Sequence, residues 1–177
     1  VVSNGDEAAL QATRHLIDTG SKRIAFIGGP THLDMVKRRK HGYLEALRER
    51  NITIDRSIVI NGNIDYESAR NETLKLLKRE DRPDAILAFN DIITYAAFDA
   101  IKTLGLHIPK DVAIIGFTEA ESSAFVTPKL SAIMDQAHLT GEKACDLLLR
   151  NIRGDKKIYK EIVPMILKIR ESSNKQE

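Results

Sequence analysis

Four clusters of small and polar residues hold most of the chemistry this sequence offers: Gly28-Gly29-Pro30, Gly62-Asn63-Ile64, Asn90-Asp91 and Gly116-Phe117-Thr118-Glu119. Glycine lets a backbone come close to a ligand, and Asn and Thr supply fixed donors and acceptors. Such a set suits a neutral molecule rich in hydroxyls or amides. Singly, each residue also serves as a turn former or helix cap. Together, at the ends of four apolar runs, they favour a binding edge. Lys37-Arg38-Arg39-Lys40 is the one basic run. A helix spreads four consecutive residues around its circumference, so at least one of these cations turns toward that edge as a candidate ligand-binding arginine.

Other chemistry is poorly served. The chain has no GxGxxG, no GxxxxGK[ST] and no GxSxG, which argues against phosphate loops and hydrolase elbows. Its five histidines (His15, His32, His41, His107, His138) are scattered. No metal set, no cofactor and no enzyme are therefore expected. His15, near a helix C-terminus, reads as a dipole or solvent residue. Cys145, among Ala144, Leu147 and Leu148, reads as a buried structural thiol, and a lone cysteine excludes a disulfide framework.

The 177 residues suit one large domain, 42% apolar and 29% charged, and 27 basic against 25 acidic residues leave a net charge of +2. That balance gives no argument for a nucleic-acid surface. No apolar run approaches the ~20 residues of a membrane span, and no secretory signal opens the chain. The first residue is Val1, so an upstream segment is expected to have been removed or left out.

The elements that must position these residues alternate. Helical periodicity runs over 6–19, 34–50, 65–79, 92–104 and 139–152. Short apolar runs at 23–27, 57–60, 84–89, 112–115 and 130–134 read as strands, and 158–169 has strand-like alternation. Residues 119–128 read as a loop or short helical turn. This is the pattern of βαβ units: an α/β fold with a mostly parallel sheet covered by helices on both faces. Ligands of such sheets bind beyond the carboxyl ends of the strands, where the four clusters fall.

The motif order resembles the C-terminal part of LacI/GalR-family transcriptional regulators over residues 1–172. The stretches that carry it are His15-Leu16-Ile17 with Gly20 and Arg23 to Pro30, Arg39 with Gly42-Tyr43 and Ala46-Leu47, Asn90-Asp91, Asp111 to Phe117, Thr127 to Ile133, and Arg170-Glu171-Ser172. The resemblance implies one lobe of a periplasmic-binding-protein-like module. Residues 1–135 would form the C-terminal lobe. Residues 136–156 would be a helix that packs on an N-terminal lobe absent here, 157–170 a returning strand of the C-terminal lobe, and 171–177 a disordered tail.

It further implies a cytoplasmic homodimer that binds a sugar-like effector between its lobes. Operator DNA would be contacted through a helix-turn-helix headpiece that this chain lacks, with no membrane partner. Carried over residue by residue, Arg39 would hold effector hydroxyls or carboxylates and Asn90 would hydrogen-bond the effector. Thr118 stands where the family usually has Asp, with Glu119 or Asp34 as the carboxylate that compensates. Ile64 stands where the family often stacks an aromatic ring. The alternative is the substrate-binding protein of a sugar ABC transporter. The apolar stripe Ala144, Leu147, Leu148 and Ile152 is expected to pack on another chain or fold back. Dimer contacts are expected on 92–104 and 119–128.

Overall fold

The computed structural model describes residues 1–118 and 122–175. Its elements follow the alternation closely: β1 (Val2–Ser3), α1 (Gly5–Asp18), β2 (Ile24–Gly28), α2 (Asp34–Glu49), β3 (Val59–Asn61), α3 (Tyr66–Leu77), β4 (Ala85–Ala88), α4 (Asp91–Thr103), β5 (Ala113–Phe117), β6 (Ser131–Met134), α5 (Ala137–Ile152), β7 (Ile162–Val163) and β8 (Ile166–Lys168).

Six strands form one sheet in the order β3-β2-β4-β5-β6-β8, all parallel except β8 against β6. Every residue of β2, β4 and β5 is buried, so both faces are covered, as continuous apolar strands require. The path explains how. The connection β2–α2–β3 runs to one edge, while β3–α3–β4 returns past β2 to its other side. Right-handed crossovers then place α2 and α3 on opposite faces; α1 packs on α2, and α4 on α3. Helix ends follow local chemistry. Asp65 accepts from Ser68 N at 2.7 Å to open α3, and Gly20, at φ 96°, follows α1 in a backbone state that costs glycine little.

Four expectations change. The edge strand starts at Val59, not Ser57, because Asp55 accepts from Ser57 N at 2.8 Å and caps a tight turn over Arg56–Ile58. The stretch 157–170 is not a single return. Ile162–Val163 pairs with Val2–Ser3 in a separate two-stranded parallel sheet, and only Ile166–Lys168 joins the main sheet.

The expected disordered tail is ordered through Lys175. Ser172 Oγ donates to Ile114 O at 2.6 Å and accepts from Ser131 N at 2.8 Å, and Lys175 Nζ donates to Asp84 O at 3.0 Å. Residues 176–177 lie outside the described residues. Finally, α5 has no buried residue, and Cys145 on it is exposed rather than structural. Nothing described packs over its stripe: Leu148 is 60% and Ile152 70% exposed. The helix does not fold back onto its own chain.

Candidate functional site

In the sheet order, β2 and β4 are neighbours whose onward connections leave in opposite directions. Such a switch point opens a crevice at the strands' carboxyl ends. Arg39 reaches it from α2. Its register comes from the buried stripe Arg39, Gly42, Tyr43, Ala46 and Leu47, spaced i, i+3, i+4, i+7, i+8. Gly42 fixes the depth, because a Cβ there would lie 1.9 Å from the backbone oxygen of Asp6. No side chain fits, so α1 and α2 touch backbone to backbone. Tyr43 locks the rotation, its hydroxyl donating to Ile24 O at 2.8 Å.

Arg39, so placed, is 5% exposed. Its Nη1 donates to Phe89 O at 2.5 Å. Its plane lies over two rings, 3.8 Å from the Phe117 centroid and 5.0 Å from Phe89, each contact worth roughly 0.5–2 kcal/mol where water is excluded. Burial pushes its pKa down to about 10, opposed by the charge of Asp135, so it remains a cation at neutral pH. Its Nε has no hydrogen-bond partner among the described residues, and neither has the buried Thr118 hydroxyl. Folded proteins rarely leave such groups unpaired without a ligand, water or strain to account for them.

Thr118 is held by its backbone N–H, which donates to Ile133 O at 3.1 Å. Asn90 Oδ1 is occupied in capping α4, accepting from Ile93 N at 3.0 Å, which leaves the amide NH2 as its donor toward the pocket. Gly116 is required beneath: a Cβ there would meet Thr94 Oγ1 at 2.0 Å.

Arg39, Asn90 and Thr118 thus share one hollow of about 190 Å³, with Met35, Asp91, Phe117, Ile133, Asp135 and Met165 around them. Asp34 is exposed on the wall of an adjoining hollow of about 280 Å³ that shares Met35 and Arg39. Ile64 does not line this hollow. Its side chain packs where a Cβ on Gly29 would come within 2.9 Å of it, next to Phe89, because the glycine leaves room for a core contact there. Glu119 lies outside the described residues. Among those residues no three His, Cys, Asp or Glu side chains group as metal ligands.

Sequence reasoning missed Asp135 and Met165. Asp135 directly follows the strand Ser131–Met134, so the strand-end rule points to it once that strand is included. Met165 carries no local signal. It reaches the site because Asn4 Oδ1 accepts from its backbone N–H at 2.7 Å, across 161 residues. His15 is likewise a tertiary tie rather than a solvent residue: its Nε2 lies 3.0 Å from Ser173 Oγ, and burial lowers its pKa.

Residues 13–173 match the family model of the periplasmic binding protein-like domain. The chain is 35% identical over 153 residues to the HTH-type transcriptional repressor PurR of Aliivibrio salmonicida, covering 86% of this chain and 46% of that protein. The chain belongs to the LacI/GalR family, as its periplasmic binding protein-like domain. A LacI-family regulatory protein from Chloroflexus aggregans superposes with a TM-score of 0.91 at 32% identity, covering 97% of this chain and 63% of that one. The transcriptional regulator CelR in complex with cellobiose gives 0.89 at 29%, covering 97% and 53%.

LacI/GalR membership confirms the α/β reading and favours a regulator's effector-binding domain over a transporter's binding protein. These relatives are regulators rather than enzymes. The chain spans about half the length of the curated relatives it matches. No helix among the described residues is long and apolar enough to cross a membrane.

Proposed function

We propose that this chain is the effector-binding and dimerisation region of a cytoplasmic LacI-type DNA-binding regulator, and that the strand-end hollow is its half of the effector site. The observation that carries this is Arg39: a buried cation stacked on two rings, beside an unpartnered Thr118 hydroxyl, with no ion pair among the described residues. A polar effector supplies what both groups lack. A guanidinium takes hydroxyls or a carboxylate through its planar fork, and Asn90 and Thr118 add a donor and a hydroxyl. In this reading Asp135, in the same hollow, accepts sugar hydroxyls, and Asp34 stands on the adjoining wall. A sugar-like metabolite fits this set.

A hollow of about 190 Å³ is below the ~300–1,000 Å³ of complete small-molecule sites. A second lobe would complete it by packing on α5 and on the β1–β7 pair, whose Leu148, Ile152 and Ile162 are exposed. Effector binding then favours the closed arrangement by its differential affinity for the two states. Closure would be passed through a homodimer to headpieces on operator DNA. Ile92 on α4 and Phe125, 85% exposed, are the proposed dimer contacts.

The test is the longer protein carrying Arg39→Ala, titrated with candidate sugars while operator binding is followed. Loss of the effector response with operator binding retained supports the assignment. An unchanged effector affinity refutes it.

A further inference from the structure

A larger cavity lies apart from the hollow that holds Arg39, Asn90 and Thr118. It measures about 560 Å³ and sits between α2 and the edge strand β3, within the ~300–1,000 Å³ of small-molecule sites. Lys40, Leu44 and Arg48 enter it from α2 at i, i+4 and i+8, one face of the helix. Arg39, one residue earlier, turns to the other side. Ile54, Arg56, Val59 and Asn61 complete the wall.

Leu44, Ile54 and Val59 give an apolar floor, and Lys40, Arg48 and Arg56 surround it with no carboxylate in the lining. Arg48 shares its charge with Glu45 at 3.2 Å. Lys40 touches only the amide oxygen of Asn61, at 3.4 Å, and neither Lys40 nor Arg56 has an ion pair among the described residues. Three like charges around one concave space repel one another and raise the local concentration of anions.

We propose that this cavity is a second ligand site, for a phosphorylated metabolite with an apolar ring body. The phosphate sits between Lys40 and Arg56, with Arg48 free to leave Glu45 for it. The ring lies on Leu44, Ile54 and Val59. The phosphate alone satisfies the cations but leaves the floor wet, and the ring alone leaves the cations unpaired; only the two together use the whole cavity. The site is independent of the effector reading, since it shares no residue with the strand-end hollow.

The probe is phenyl phosphate, titrated into the 15N-labelled chain at low salt, with phenol and inorganic phosphate as separate arms. Phenyl phosphate is expected to shift the amide signals of Leu44, Val59 and Asn61 while those of Asn90 and Thr118 stay in place. Phenol and phosphate are expected to bind on the order of tenfold more weakly or worse. The double variant Lys40→Gln/Arg56→Gln, whose dispersed spectrum checks its fold, is expected to lose about tenfold or more in affinity. Several outcomes overturn the proposal: no shift at the cavity, shifts at Asn90 and Thr118 instead, inorganic phosphate binding as tightly as phenyl phosphate, or a double variant with unchanged affinity.

Discussion

Replacing Gly42 by alanine tests how Arg39 is positioned. Alanine is the better helix former by about 1 kcal/mol, so on propensity alone the variant gains stability. The structure reverses the sign. The new Cβ would stand 1.9 Å from Asp6 O and 2.9 Å from Leu10 N, against the ~3.5–4.0 Å of ordinary nonbonded contacts. Both obstacles are backbone in α1, so no side chain can swing aside; the helices must part by roughly 1.5 Å or more.

Overpacking of this kind costs about 1–3 kcal/mol, occasionally more, and here it also loosens the α1–α2 packing that buries Ala9, Ala12 and Leu16. A net loss of about 2 kcal/mol lowers Tm by ~4–8 °C in a chain of this size. It also lowers the urea midpoint by ~1 M. Gly141→Ala in α5 is the control, since nothing lies within 4 Å of its Cβ; it is expected to leave Tm unchanged or raised. Thermal denaturation of both variants beside the parent decides the matter. A Gly42→Ala chain as stable as the parent would refute the backbone contact and, with it, this account of why Arg39 sits where it does.

Three further perturbations probe other joints. Thr118→Val removes a buried hydroxyl without a described partner. The ligand-free chain is expected to gain about 1 kcal/mol, seen as a higher urea midpoint; a loss would mean the hydroxyl has a partner. Ser172→Ala leaves Ser131 N–H and Ile114 C=O unpaired in the interior and is expected to cost about 1–3 kcal/mol; an unchanged midpoint would mean the tail is not part of the fold. Burial depresses the His15 pKa below its ordinary 6.5, so the unfolded chain binds the proton first. The His15 contribution to stability is then complete above about pH 6.5 and declines as pH falls below it. His15→Gln, which retains a hydrogen-bonding group toward Ser173, is expected to flatten that part of the Tm–pH curve; parallel curves from pH 5 to 8 would contradict the assignment.

Much of the site was legible because it is written in local patterns. The periodicity of 34–50 declares a helix with one buried face, and the structure adds that this face presses on α1 at Gly42. Strand-end residues announce themselves by following apolar runs, which marks Asn90 and Thr118, whereas Arg39 is singled out by the family resemblance; the structure sets all three around one hollow. Ile64 falls outside that hollow for a reason of packing: the space above Gly29 lets it lie half-buried against the core. Cys145 was misjudged because an apolar helical stripe shows that a helix wants cover, not that a neighbour supplies it.

By itself the sequence determined the order of helices and strands, the parallel class of the sheet and that at least one cation of 37–40 turns inward. Each depends on periodicity over a few residues, and backbone geometry converts that directly into a face or an end. Tertiary structure alone decided what meets across distance: Met165 beside Asn4, His15 against Ser173, Asp135 opposite Arg39, and the division of 158–169 between two sheets. Such partners are chosen by which buried donors and acceptors remain unpaired once the sheet has closed. No local pattern records that remainder, because it is a property of the whole fold.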